Sequence, residues 1–168
     1  MIVPSFAKAA FAKDGTITAA TSSSISDGAA ALVLTRQSVA ERLGLTPIAR
    51  IVAHAAHAQA PAKFTSAPVP ALKKALERAG WSQSDVDLFE VNEAFACVAM
   101  IAMHDLGIPR DIINVNGGAT ALGHPIGASG ARILATLLAA LQNRGGKRGL
   151  ASLCIGGGEA TAMAVELV

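Results

Sequence analysis

Residues 113–134 read INVNGGATALGHPIGASGARIL: a short apolar strand, a loop with five glycines and one histidine, and the start of an apolar helix. Gly117, Gly118, Gly123, Gly127 and Gly130 leave so little side chain that backbone N–H groups can approach a ligand or a second stretch of backbone. His124 is the only titratable group between Asn114 and Arg132, so acid, base or oxyanion chemistry in this loop falls to it. A phosphate cradle uses the same parts, but neither the P-loop pattern nor the GxGxxG fingerprint occurs. The acidic residue that a dinucleotide site places near the end of the following strand is also missing, because that strand, residues 150–155, ends beside a cysteine. A lone surface histidine on a structural crossover is the plainer reading. Companions elsewhere in the chain favour a site.

The composition narrows the classes. With 168 residues, 52% hydrophobic and 15% charged, the chain can bury a sizeable core as one domain, or as one domain with an arm. Fourteen Lys+Arg against 12 Asp+Glu leave a scattered +2, and 4% aromatics with no tyrosine offer no stacking platform, which argues against nucleic acid and for a small-molecule substrate. Cys97 and Cys154 stand far apart in apolar settings without a CxxC pattern, so neither a disulfide framework nor a zinc site is expected. A reducing, cytoplasmic compartment is the expectation. The charge-free run 112–131 is broken by glycines, asparagines and a proline and is no membrane span, and no secretory signal is legible at the N-terminus.

Residues 1–26 carry loop chemistry, including a Lys13-Asp14-Gly15-Thr16 turn and a run of hydroxyls at 21–24. Ala-rich residues 29–34 suit a strand buried on both faces, and a short helix is predicted over 38–43. From Pro47 the order becomes regular. Strands are predicted over 48–56, 87–91, 112–115, 150–155 and 160–168. Helices are predicted from Pro68, with Leu72, Ala75, Leu76 and Ala79 on one face; over 92–106, apolar nearly all round and therefore buried; and after the glycine loop, with Ile133, Leu134, Leu137, Leu138 and Leu141 inward. Ser82 and Asp85 form a capping-box pattern. His54 and His57 lack a third ligand and read as surface groups, so no metal site is expected. Alternation of this kind implies an α/β fold: a mixed, mostly parallel five-stranded sheet covered by helices on both faces, its last strand antiparallel across the Gly156–Gly158 turn. The expected division is an arm over 1–46 and a domain over 47–168.

Ligands of such sheets bind past the C-terminal ends of the strands, where Asn92, the glycine loop with His124, and Cys154 converge. The residue types alone allow a cysteine hydrolase, with Cys154 as nucleophile, His124 as base and Asn92 as orienter.

Three blocks go further. NEAFA at residues 92–96, NVNGGATALGHPIGASGAR at 114–132 and CIGGG at 154–158 resemble, in order and spacing, the signature blocks of the thiolases (the acetyl-CoA acetyltransferase family). FAKDGTITAATSSSISDGAAALVL at 11–34 is similar to the region that precedes their last domain. The resemblance implies Claisen condensation or thiolysis of 3-ketoacyl-CoA, with coenzyme A thioesters as substrates and no permanently bound cofactor. It implies His124 as activating base and oxyanion donor, Cys154 as the acid/base that moves the substrate's α-proton, Asn92 as holder of a water at the thioester oxygen, and Gly156 N–H in a second oxyanion hole. It implies Ser23 and Phe64 beside pantetheine and Phe95 as a wall of the acyl pocket. A thiol at Cys154 can deprotonate carbon only as a thiolate, which nearby glycine N–H groups would favour. The family's nucleophilic cysteine precedes all three blocks, and no cysteine stands upstream of Asn92. The chain thus resembles the C-terminal portion of a thiolase that needs an N-terminal half or split-enzyme partner and forms homo-oligomers. In that family the strand matching 29–34 joins the sheet of the N-terminal half. The alternative from another class is a non-catalytic acyl-CoA-binding or scaffold protein.

Overall fold

The structure is a computed structural model that describes residues 8–168; the loop reading of residues 1–7 lies outside the described residues. A short helix α1 (Gln37–Arg42) precedes strand β1 (Ala49–Ala58), helix α2 (Pro68–Ala79), strand β2 (Leu88–Val91) and helix α3 (Ala96–Leu106). One turn of helix, α4 (Ala119–Leu122), then leads to α5 (Ser129–Arg144), and strands β3 (Arg148–Cys154) and β4 (Glu159–Leu167) complete the chain. The sheet order is β1-β4-β3-β2.

Each face of the sheet buries its own apolar set, because successive strand residues point to opposite sides. Phe89, Val91, Leu150 and Ala162 pack with Leu72, Ala75 and Val98 of α2 and α3. Leu88, Ala151 and Val165 pack with Ile133, Leu137 and Leu141 of α5. Both predicted helical faces are thus inward. Helices α2, α3 and α5 all stop at a left-handed glycine, Gly80, Gly107 and Gly145, which lets the chain leave the helix direction. The Ser82–Asp85 capping box is formed, with Ser82 N–H donating to Asp85 Oδ2 at 2.7 Å.

The α/β class holds, but the strand count and the balance of directions do not. The sheet has four strands and only β2 and β3 run parallel; β3–β4 and β1–β4 are antiparallel. The predicted strand 112–115 is reduced to one parallel bridge, Phe89 with Ile113. At the next residue the backbone turns away: Asn114 has φ 47°, outside the extended region. Its side chain takes over the pairing, with Oδ1 accepting from Val91 N–H at 2.8 Å and Nδ2 donating to Val91 O at 2.9 Å. An amide side chain here completes a β ladder.

Two further expectations fail. The predicted helix 92–106 starts only at Ala96, because Phe95 is extended and the preceding backbone bonds elsewhere: Asn92 N–H to Ser152 O and Ala94 O to Ser23 N–H. Nor is that helix buried all round, since Met100 is 61% exposed. The apolar run 29–34 forms no strand at all. It has no regular structure, with Val33 93% and Leu34 71% exposed, and it pairs with no strand among the described residues.

Candidate active site

The site is assembled at the C-terminal ends of β2 and β3. Asn92 follows β2 directly and extends its ladder, its N–H bonding Ser152 O at 2.9 Å, and it is 1% exposed. The glycine loop brings His124 to it. Gly123, at φ 90°, lies where a Cβ would collide with the Ser26 hydroxyl, so the arm crosses the loop at close range. His124 N–H donates to Ser24 O at 2.8 Å, fixing the histidine backbone to the arm. Asn92 Nδ2 then stands 3.3 Å from His124 Nε2.

Hydrogen-bond accounting assigns the imidazole proton. The Asn92 Oδ1 end accepts from Arg132 Nη2 at 3.3 Å, so the amide's N–H₂ end faces His124 and donates to Nε2. On the other side Nδ1 lies 2.6 Å from Ser129 Oγ, whose own proton goes to Pro125 O at 3.0 Å, so Nδ1–H donates to the serine oxygen. Both neighbours select the same tautomer, with the lone pair on Nε2. Burial, and secondarily the Arg132 guanidinium, lower the pKa of His124, which keeps the ring neutral and able to accept a proton.

Cys154 is the last residue of β3, one strand away on the same rim, and packs into the core formed with α2 and α3. Burial pushes its thiol up to about 11, with Cys97 adding to the rise and a backbone hydrogen bond opposing it. The backbone donor favours the thiolate, as the glycine-rich turn suggests, but loss of hydration outweighs it, so the thiolate is not the resting form. Cys154 rests as a thiol, which suits it first as a proton donor. Among the described residues its sulfur makes no hydrogen bond to His124, so the nucleophile–base pair of a cysteine hydrolase is not formed. Gly156 is exposed in the β3–β4 turn, which is closed by Gly158 N–H to Ile155 O at 3.1 Å.

Glu93 clamps the glycine loop. Its carboxylate accepts from Asn114 Nδ2 at 2.9 Å and from Thr120 N–H at 3.2 Å, and a Cβ at Gly118 would strike it. Phe95 is flanked edge-on by Phe64, with centroids 5.9 Å apart, and by Phe11 at 5.5 Å, giving one aromatic wall. Ser23 is fixed to Ala94, one residue before Phe95. Its N–H and hydroxyl both donate to Ala94 O, at 3.1 and 3.0 Å, leaving the hydroxyl oxygen free to accept. Sequence reasoning missed Phe11, Ser129, Arg132 and Glu90. Arg132 and Glu90 carried a signal: a glutamate inside an apolar strand, and the only cation between Asp111 and Arg144, on the helix that follows the loop. No cluster of His, Cys, Asp or Glu able to hold a metal occurs among the described residues.

Such a rim, with a neutral histidine held by an amide beside a thiol, is fitted for proton transfer around a polarised carbonyl. The profile described as "Thiolase, C-terminal domain" matches residues 45–167, and that described as "Thiolase, N-terminal domain" matches residues 5–38. The chain belongs to the thiolase family. It is 54% identical over 157 residues to the acetyl-CoA acetyltransferase of Allochromatium vinosum, covering 94% of this chain and 40% of that relative. It superposes on the Bacillus anthracis acetyl-CoA acetyltransferase with a TM-score of 0.93 at 44% identity, covering 97% of this chain and 41% of that one. For human mitochondrial 3-ketoacyl-CoA thiolase in complex with CoA the TM-score is 0.90 at 41% identity, with the same coverage, 97% and 41%. The chain thus spans about 40% of the length of the curated relatives it matches. No helix among the described residues is long and apolar enough to cross a membrane.

Proposed function

We propose that this chain supplies the acid–base half of a thiolase, acting on 3-ketoacyl-CoA and acetyl-CoA thioesters in the cytoplasm, within a homo-oligomer whose nucleophilic cysteine lies outside these residues. Residues 47–168 are the catalytic domain in this reading, and residues 1–46 are an arm that belongs structurally with the N-terminal half. The observation that carries the proposal is the Asn92–His124 contact at the end of β2, with Cys154 ending the neighbouring parallel strand.

The chemistry follows from the proton positions. His124 Nε2 takes the proton of the attacking thiol as the Asn92 N–H hydrogen bond to that lone pair is given up, and, once charged, donates the proton as a hydrogen bond to the thioester oxygen. The second N–H of the Asn92 amide is free to hold a water at that oxygen. In the thiolytic direction acyl transfer leaves an acetyl-CoA enolate, and Cys154, resting as a thiol, protonates its carbon. In condensation the CoA thiolate released by the first acyl transfer takes the proton of this sulfur, the thiolate so formed removes the α-proton of the second acetyl-CoA, and Gly156 N–H meets the developing oxyanion. Loss of one such donor costs about a hundred- to a thousandfold in rate. Ser23, Phe64 and Phe95 line the approach of the pantetheine arm and acyl group.

Thiolysis of acetoacetyl-CoA by CoA, assayed with the 168-residue chain alone and with a thiolase N-terminal half supplied in trans, tests this. The chain alone is expected to be silent and the mixture active. Turnover by the chain alone, abolished by Cys154→Ala, would assign the nucleophile to Cys154 instead. Tight acyl-CoA binding with no turnover in any mixture would favour a non-catalytic binding subunit.

A further inference from the structure

Behind Asn92 lies a charged pair that the chemistry above does not use. Glu90 sits in β2, 2% exposed, and faces Arg132 of α5, whose Nη1 is 3.5 Å from Glu90 Oε2. Neither Glu90 Oε1 nor Arg132 Nη1 has a hydrogen-bond partner among the described residues. A buried ion pair built for stability has its donors and acceptors filled, and this one does not. The only side-chain hydrogen bond of Arg132 among the described residues runs from Nη2 to Asn92 Oδ1.

We propose that Arg132, backed by Glu90, is a positioning residue that orients the Asn92 amide and thereby selects the tautomer of His124. A guanidinium has donors and no acceptor, so only the oxygen end of the Asn92 amide can face it. The nitrogen end is then turned to His124, where it can meet only a lone pair. Without Arg132 the amide is free to flip and present oxygen to Nε2–H, which would leave the ring unable to accept a thiol proton at that atom. Glu90 supplies the counter-charge that makes a guanidinium tolerable between strand and helix. Ser129 reinforces the same tautomer from the far side. The inference rests on the reading of His124 as the base, but its geometry stands apart from any activity.

The test is nuclear magnetic resonance of the nitrogen-15-labelled 168-residue chain near pH 8, reading the ring nitrogens of each histidine. His124 is assigned by the signals lost in His124→Asn. The wild-type ring is expected to be protonated at Nδ1. The paired variant Glu90→Gln/Arg132→Met, which leaves no unpaired charge, is expected to give a mixture in which a measurable Nε2–H fraction appears beside the Nδ1–H form that Ser129 still favours. Arg132→Lys, whose ammonium also only donates, is expected to restore the Nδ1–H form. A wild-type ring protonated mainly at Nε2, or a paired variant with the wild-type pattern, overturns the proposal. Should the paired variant fail to fold, wild type and Arg132→Lys decide it, since both must show Nδ1–H. In the reconstituted enzyme the paired variant is expected to lower kcat about ten- to a hundredfold with KM within about twofold, and Arg132→Lys to recover most of kcat. An inactive protein with the expected tautomers leaves the positioning intact and removes the thiolase reading; an active one with the wrong tautomers does the reverse.

Discussion

Leu137 and Val33 are both aliphatic residues in apolar runs, yet the first is 0% exposed and the second 93%. Leu137 lies on α5, whose partner face on β2 and β3 is part of the same chain; the run around Val33 has no such face among the described residues. The arm is nevertheless fixed at its other end by polar contacts, Ser23 to Ala94 O and Ser24 O to His124 N–H. Apolar pattern specifies that a segment is to be covered, and only the surrounding fold specifies by what. Leu137 is held by burial, whereas Ser23 and Ser24 are held by polar contacts to Ala94 and His124.

The comparison can be broken most strongly at the core. Leu137→Ala is expected to cost about 2–5 kcal/mol of unfolding free energy in urea titrations, because α5 cannot collapse into the gap against Leu88 and Val165. A loss under about 1 kcal/mol would show that the α5 face is loosely packed. In the reconstituted enzyme, Cys154→Ser is expected to lower condensation about a hundredfold or more and to spare acyl transfer to the nucleophile more than condensation. Equal losses in the two half-reactions would remove the separate acid/base role.

A pH titration probes the same core. Burial raises the Glu90 carboxyl from 4.5 to about 7, against the pull of Arg132 and with the push of Glu93. The folded state therefore binds the proton more tightly than the unfolded chain, so this contribution to stability is complete below about pH 4.5 and is lost as pH rises through about 7. Glu90→Gln is expected to remove that slope, on the order of 2–3 kcal/mol, from stability measured across the window. The smallest effect belongs to the arm. Val33→Ser is expected to change unfolding free energy by less than about 0.5 kcal/mol while lowering self-association in sedimentation experiments. A core-like loss there would mean that the arm is covered in solution.

Much of this architecture was legible in the residues. Periodicity located the faces of α2 and α5, the glycines marked the helix ends, and the three blocks brought Asn92, His124 and Cys154 to one rim. The departures have physical causes. Residues 112–115 have strand composition, but pattern cannot show that Asn114 adopts a positive φ and pairs through its side chain. Alternation of strands and helices suggested parallel neighbours, yet β1 goes to the far edge and pairs antiparallel with β4, a choice made by long-range packing. The glycine donors near Cys154 are visible in a sequence, whereas the desolvation that outweighs them is not. Glu90 and Arg132 stand far apart in the chain and acquire meaning only when β2 and α5 meet.

The amide of Asn114 also makes the molecule self-reporting. Val91 is the last residue of β2, and its N–H is held by that side chain, not by a strand backbone. Asn114 is in turn tied through Glu93 to Thr120 on the glycine loop. Solvent hydrogen exchange at the Val91 amide therefore requires the loop's anchor to let go, while Leu150, paired within the sheet between β2 and β4, exchanges only when the sheet itself opens. The ratio of those two exchange rates is a gauge of how often the histidine loop unlatches from an intact domain.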